Sequence, residues 1–295
     1  MNLPASIRSE VEATLTTPDS ARIAAVRPVG GGCISPAARI ELGHGESLFL
    51  KWDASGQSPE TFFAEEARSL RELAKANAVR TPAVLGVGPH WLLLEWLEPG
   101  RARDDTWAAL GRKVAALHRT QGRQFGWAAG NFIGSLPQSN RHHAHWPDFW
   151  REQRLLPQWT RARQAGYFDA KDERAFDRML AGLDALLAAG DMDGPSLLHG
   201  DLWSGNIHIM TSGEAALVDP CSAYGHREVD LAMAALFGGF DRAFFDAYAE
   251  AWPLAGGSRV GRRNAYQLYY LLVHVNLFGE GYAGGVRNAI ARTQA

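Results

Sequence analysis

Cysteine is nearly missing from this chain: two in 295 residues, Cys33 and Cys221, far apart and without metal-site spacing. That scarcity excludes a disulfide framework and reads as an intracellular, reduced protein. Net charge is equally slight, -2 at pH 7, so no basic excess argues for nucleic acid or for an anionic membrane surface. No run approaches the roughly 20 apolar residues needed to span a bilayer. The opening MNLPASIRSEVEATL carries charges within its apolar residues and no small-residue cleavage site after them, so it does not read as a signal peptide. Internal repeats, coiled-coil heptads and low-complexity tracts are missing too. What remains is an ordinary globular composition, 46% hydrophobic and 21% charged, in a length that suits one bilobal unit or two modest domains. The expectation is a cytoplasmic protein with no nucleic-acid or membrane partner.

One stretch carries most of the chemistry. Leu197 to Asp219 reads LLHGDLWSGNIHIMTSGEAALVD, in which Asn206 follows Asp201 by five positions. Two short apolar runs separated by Thr-Ser-Gly then deliver Asp219, an interval that suits a hairpin returning Asn206 and Asp219 to one point. Phosphoryl transfer from ATP needs this set: one carboxylate to take or orient the proton of the attacking hydroxyl, and an amide oxygen plus a second carboxylate to hold Mg²⁺. Protein kinases space their base and amide ligand identically, in H-R-D-x-x-x-x-N. Asp201 is thus the candidate base, and Asn206 and Asp219 the candidate metal ligands.

Ahead of this stretch, residues 1 to about 20 read as a short helix stopping near Pro18, and Arg22 to Val29 as a strand. Gly30-Gly31-Gly32-Cys33 follows, then a hairpin of Ala37–Leu42 and Ser47–Lys51 with His44-Gly45 at its tip. The glycines, Gly31 and Gly32 foremost, form either a plain turn or a phosphate cover built from backbone N–H groups. Cys33 in that turn is either a small apolar residue or an oxidisable thiol. Lys51 ends an apolar strand, as a snorkelling edge lysine or as a phosphate ligand. Pro59 to Asn77 has helical period, with Phe63, Ala67 and Leu70 on one face; Glu66 lies at its edge and is the better partner for Lys51, whereas Glu65 points away.

Val84–Val87 and Trp91–Leu94 read as further strands, and Glu95 to Gly100 as a breaker between two parts of the chain. A helix is expected over Thr106–Arg119, with His118 as a structural residue at its end. Residues 120 to 160 are dense in Trp, His, Asn and Gln, which suits a polyhydroxylated ligand; His142, His143 and His145 have no distant partners for a zinc site. Helical period resumes from Phe176 to Leu187, closing at Gly190, and again over Tyr266–Phe278, where His274 and Asn276 sit in apolar company and read as satisfied core polar groups unless a ligand claims them.

Several of these segments carry a resemblance. HGDLWSGN, the later DPxxxYGHREVDLAMAALFGGF, GGGCIS, LFLKWD, FGWxxxNFIGxLPQxN and YxLLVHVNLFGxGY together resemble the fructosamine kinase (ketosamine-3-kinase) family, over nearly the whole chain. Trp203 and the FGGF at Phe237–Phe240 set that family apart from its aminoglycoside-phosphotransferase and choline-kinase-like relatives. The resemblance implies an α+β, bilobal, protein-kinase-like fold: a nucleotide-binding antiparallel-sheet lobe over 1–97 and a larger, mainly helical lobe over 98–295. It implies a backbone contact from Glu95 and Leu97 to the adenine edge, and anchoring of the catalytic loop by Asp230. Trp203, His274, Asn276 and the 120–160 segment would flank the acceptor.

The implied reaction is ATP- and Mg²⁺-dependent phosphorylation of a ketoamine, small or protein-bound, on its 3-hydroxyl, a step in deglycation. Aminoglycoside or amino-alcohol kinase is the alternative, and a non-catalytic pseudokinase a remote one. Gly200 stands where phosphorylation-switched protein kinases carry arginine, and Asp219-Pro220-Cys221 replaces Asp-Phe-Gly, which argues for a constitutively active enzyme. Relatives place alanine at the third of those positions, so Cys221 is a mild departure. The sequence leaves open the sugar, and monomer against dimer.

Overall fold

The structure, a computed structural model, describes residues 3–15, 22–30 and 35–293. Gly31, Gly32 and Cys33 lie outside the described residues, as does Pro18. The first part of the chain is a five-stranded antiparallel sheet, ordered β1-β2-β3-β5-β4. Its strands are β1 (Ile23–Pro28), β2 (Ala37–Leu42), β3 (Ser47–Trp52), β4 (Val84–Gly88) and β5 (Trp91–Glu95). The hairpin β2–β3 pairs Ile40 with Leu48 and turns at Gly45, whose φ of +92° favours glycine.

Strand alternation decides what each face does. Leu48, Leu50 and Trp52 are buried beneath α1 (Ala5–Thr14), which ends before the stop expected near Pro18. Phe49 and Lys51 point the other way, towards α2 (Phe62–Lys75) and the cleft. Phe63, Ala67 and Leu70 of α2 close on Leu92 and Leu94 of β5, the apolar stripe expected of this helix.

The rest of the chain is mainly helical. α3 (Thr106–His118) leads to a hairpin of β6 (Asn131–Ile133) and β7 (Leu136–Gln138). α4 (Trp146–Trp150), one π-helical turn and α5 (Leu156–Gln164) run on continuously. The helix expected to run to Gly190 is broken into α6 (Ala170–Ala181), α7 (Leu183–Leu187) and α8 (Ala189–Asp193). The break falls at Gly182, whose backbone leaves the helical region (φ -96°, ψ 0°) at the cost that glycine carries inside a helix.

Four short strands follow, β8 (Ser196–Leu198), β9 (Ile207–Ile209), β10 (Ala215–Leu217) and β11 (Ala223–Gly225). Helices α9 (Glu228–Ala234), α10 (Arg242–Ala251), α11 (Arg259–Phe278) and α12 (Ala283–Thr293) complete the chain. α11 starts seven residues before the expected Tyr266, capped by Ser258 accepting from the Gly261 amide. Its charged first turn hid the start: Arg262 is buried by pairing two guanidinium nitrogens, Nε and Nη2, with Glu228, each at 3.0 Å.

The tryptophans of the 120–160 segment build the core and not a ligand face. Trp127, Trp146, Trp150 and Trp159 are each at most 5% exposed. Trp159 stacks between Phe168 and Phe176, and Trp146 and Trp150 meet Tyr266 of α11. Large rings pay best when their whole area leaves water, and the helical part supplies the space.

Candidate active site

A cleft of about 420 Å³ lies between the cleft face of the sheet and the helical part, and Lys51, Glu66, Asp201, Asn206 and Asp219 all line it. Two antiparallel pairings bring the last three together. β8 pairs with β11, Leu198 opposite Ala223, so that the chain leaving β8 at His199 faces the chain entering β11 at Cys221. β9 pairs with β10, Leu217 opposite Ile207, and the Val218 amide donates to the Asn206 carbonyl at 3.1 Å. The expected hairpin thus forms, with Asn206 and Asp219 at its open end.

The loop from His199 to Asn206 is tied down at nearly every residue. Asp230 of α9 accepts from the His199 amide at 2.7 Å and from the Gly200 amide at 2.9 Å, while Tyr270 of α11 donates to the Gly200 carbonyl at 2.6 Å. Asp230 is held in turn by His118 (3.1 Å), which reaches Tyr248 with its other nitrogen (2.9 Å). Burial pushes Asp230 up, but His118, His199 and the Gly200 amide outweigh it and hold the carboxyl below its usual range. Buried His199 is pushed down; its Nε2 donates to the Val218 carbonyl (2.9 Å) and its Nδ1 accepts from the Asp201 amide (3.2 Å), which fixes the neutral tautomer. Gly200 has φ +88°, and a Cβ there would lie 2.2 Å from the Cys221 carbonyl oxygen, so the turn demands glycine.

Asp201 emerges from this turn into the cleft. Burial raises its pKa to about 7, Asp219 and Asp230 adding to the rise and the Asn206 amide opposing it. Asn206 gives its N–H groups to the Asp201 carbonyl (2.8 Å) and carboxylate (3.1 Å), leaving its own side-chain oxygen for another partner. Asp219 holds a positive φ of 55°, an uncommon conformation for a residue with a side chain, and its carboxylate meets Lys51 directly. Lys51 is 2.9 Å from Glu66, the partner expected for it. Burial pulls the Lys51 ammonium down, yet Asp219 and Glu66 more than compensate and hold its pKa above the ordinary lysine value.

Comparison with known proteins decides the family. The fructosamine kinase family model matches residues 6–295. The chain belongs to the fructosamine kinase family. It is 40% identical to a Synechocystis protein named a probable ketoamine kinase, over 90% of this chain and 89% of that one. A chloroplastic protein-ribulosamine 3-kinase of Oryza sativa subsp. indica is 35% identical, over 94% of this chain and 80% of that one. Among solved structures, a Thermobifida fusca protein assigned as a fructosamine-3-kinase superposes with a TM-score of 0.87 at 35% identity, covering 96% of this chain and 98% of that one. The fold is accordingly the α+β, protein-kinase-like one, in the form carried by fructosamine kinases.

Within this member of the family the remaining expected residues scatter. Leu97 and Glu95 line the cleft where the sheet hands over to the helical part, but the Glu95 side chain is already taken, by Arg80 and by the Ala83 amide (3.0 Å). Trp203 lines the cleft with its ring laid over Gly205, where a Cβ would lie 2.2 Å away. His274 and Asn276 do not line it. The His274 ring packs against Phe237 (4.7 Å) and Tyr282 (5.0 Å), and Asn276 donates to Gln158 of α5 (2.8 Å). Both serve the packing of α11, the alternative that the sequence had left open for them.

The amides near residue 135 are likewise internal: Gln138 and Asn140 donate to Asn131 (2.7 and 2.8 Å), and Asn131 to the Ser222 carbonyl (2.9 Å). What they accomplish is to pin the β6–β7 hairpin, which presents Phe132 and Ile133 to the cleft. Glu65 reverses its expectation. It is 5% exposed and lines the cleft, on a helix against which β6 arrives from a distant part of the chain, Phe132 meeting Phe62 at 5.1 Å. No signal within α2 alone reveals that.

Proposed function

We propose that this protein transfers the γ-phosphoryl group of ATP to the 3-hydroxyl of a ketoamine, the sugar-derived adduct that glycation leaves on an amine. The observation that supports it is the convergence of Asp201, Asn206, Asp219 and the Lys51–Glu66 pair on one cleft in a member of the fructosamine kinase family. The relatives named for ketoamines and ribulosamines give the acceptor its class.

Asp201 accepts the acceptor's hydroxyl proton as that oxygen forms its bond to the γ-phosphorus; the bond from phosphorus to the β–γ bridging oxygen breaks, and ADP leaves. A carboxyl with a pKa of about 7 is well matched to this exchange at neutral pH. Asn206 and Asp219 offer one amide and one carboxylate oxygen, a donor set that fits a hard, oxygen-seeking cation, and would hold Mg²⁺. Bound there, Mg²⁺ supplies neutralisation of phosphate charge. Lys51 contributes its fixed positive charge to the phosphates, leaving Asp219 when nucleotide arrives. We assign the nucleotide-binding lobe to residues 1–97 and the catalytic and acceptor-binding lobe to 98–295, with the backbone of Glu95 and Leu97 meeting adenine. The cysteine-poor sequence, whose Cys221 is free and buried, supports a cytoplasmic location.

The test is side-by-side kinetics with ATP on fructose-, ribulose- and erythrulose-derived amines, kanamycin and choline at matched concentrations. A ketoamine should show the highest kcat/KM. A higher value on the aminoglycoside than on every ketoamine overturns the proposal.

A further inference from the structure

Of the acidic groups that line the cleft among the described residues, one has neither a part in phosphoryl transfer nor donors for both its oxygens. Glu66 and Asp219 share Lys51, Glu95 is taken by Arg80, and Asp201 is bound by Asn206. Glu65 differs from all of them. Its Oε1 lies 3.5 Å from the Arg68 guanidinium, while its Oε2 is the only shielded carboxylate oxygen among the described residues with no hydrogen-bond donor. Leaving such an oxygen unpaired out of water is costly, and the cost vanishes when a ligand supplies the donor.

The surroundings specify which donor. Phe62 lies three positions before Glu65 and therefore on a neighbouring part of the same helix surface. Its ring meets Phe132 of β6 at 5.1 Å, and both rings line the cleft beside Glu65. Ring faces attract cations and a carboxylate pairs with them, so this wall combines the two surfaces that bind an alkylammonium group. Burial also pushes the Glu65 carboxyl up, a penalty that a bound cation offsets. Among the described residues no lysine or arginine lines the cleft besides Lys51, which is already paired twice.

We propose that Glu65, with the rings of Phe62 and Phe132, forms the subsite for the protonated amine of the acceptor, and that it selects amine-bearing ketoses over neutral ones. The proposal rests on the ketoamine reading and deepens it. The sugar hydroxyl goes to Asp201 and the nitrogen to Glu65, so the acceptor is held at two points in the same cleft. Glu65 binds and takes no part in the proton transfer.

The test compares two acceptors that differ at one atom, a 1-alkylamino-1-deoxyketose and the corresponding 1-alkoxy-1-deoxyketose, with ATP as donor. In the unaltered enzyme kcat/KM should favour the amine by at least about tenfold. In Glu65→Gln, which keeps an oxygen for Arg68, that preference should fall by about tenfold or to parity, chiefly through KM for the amine, with KM for ATP unchanged. Equal kcat/KM on the two acceptors in the unaltered enzyme overturns the proposal without recourse to any variant. So does a Gln variant that retains the preference, or one that loses activity equally on both acceptors. A ketoamine turned over with no dependence on its amine removes the role of Glu65 and leaves the ketoamine reading standing. If neither ketose is phosphorylated while an aminoglycoside is, the ketoamine reading fails and this proposal fails with it.

Discussion

The two walls of the cleft are held by different physics. On the helical side, the loop of His199 to Asn206 is fixed through its backbone, by Asp230, Tyr270 and the paired strands beneath it. On the sheet side, β3 carries Lys51, but its ammonium is held by charge, between Glu66 and Asp219. The first arrangement is complete before any ligand binds, so the base is preorganised. The second joins groups of opposite charge that both have business with Mg-nucleotide, and binding must exchange those contacts. The acceptor-activating wall is rigid, and the phosphate-binding wall is a set of replaceable ion pairs.

Asp201→Asn breaks the comparison at its centre. It should lower kcat by about 10²- to 10⁴-fold while nucleotide affinity persists, read by single-turnover rates and ADP titration. Near-normal turnover would remove Asp201 as the base. Asp230→Ala attacks the rigid wall from behind. It strands His118 and two loop amides in the core, so urea unfolding should show a loss of about 3–5 kcal/mol. A loss below about 1 kcal/mol, the value of an exposed pair, would mean that the tether is not structural.

The pH profile sharpens the same wall. With the Asp201 pKa raised to about 7, its carboxylate is the minority form below that pH. The ratio kcat/KM, which reports the free enzyme, should therefore fall about tenfold per unit as pH drops from neutrality towards 5. A flat profile across that range would contradict the raised value. Glu66→Gln tests the replaceable wall and should have the smallest effect. Lys51 still carries its charge to the phosphates once nucleotide has replaced Asp219, and loses only the group that steadies it, so KM for ATP should rise only about tenfold with kcat little changed. A larger fall in kcat than in nucleotide affinity would show that Glu66 does more than hold Lys51.

The rigid wall was also the more legible in the sequence. Asp201, Asn206 and Asp219 lie within one short stretch, where local spacing and a hairpin fix their meeting, and Lys51 and Glu66 follow from strand alternation and helical period. Glu65 departs from its expectation because one helix's own periodicity says nothing about β6, which comes from residue 131 to pack Phe132 against Phe62 of the same helix. The tryptophans of residues 127–159 were assigned to a ligand when they fill the core, since composition cannot distinguish a ring that faces a sugar from one that faces another ring. Asn276 looked equally apt for either purpose until Gln158 was seen opposite it. Non-local packing decided each of these.

The glycine at position 200 bears on what this enzyme can become. Any side chain there collides with the Cys221 carbonyl and strains a backbone already at φ +88°. Phosphorylation-switched protein kinases carry arginine at the corresponding place. A lineage with this loop cannot acquire that residue by one codon change without first moving the segment that carries Asp219. Control by a covalent mark read at this position is therefore separated from the present sequence by more than one substitution, since the Cys221 backbone has to move aside first.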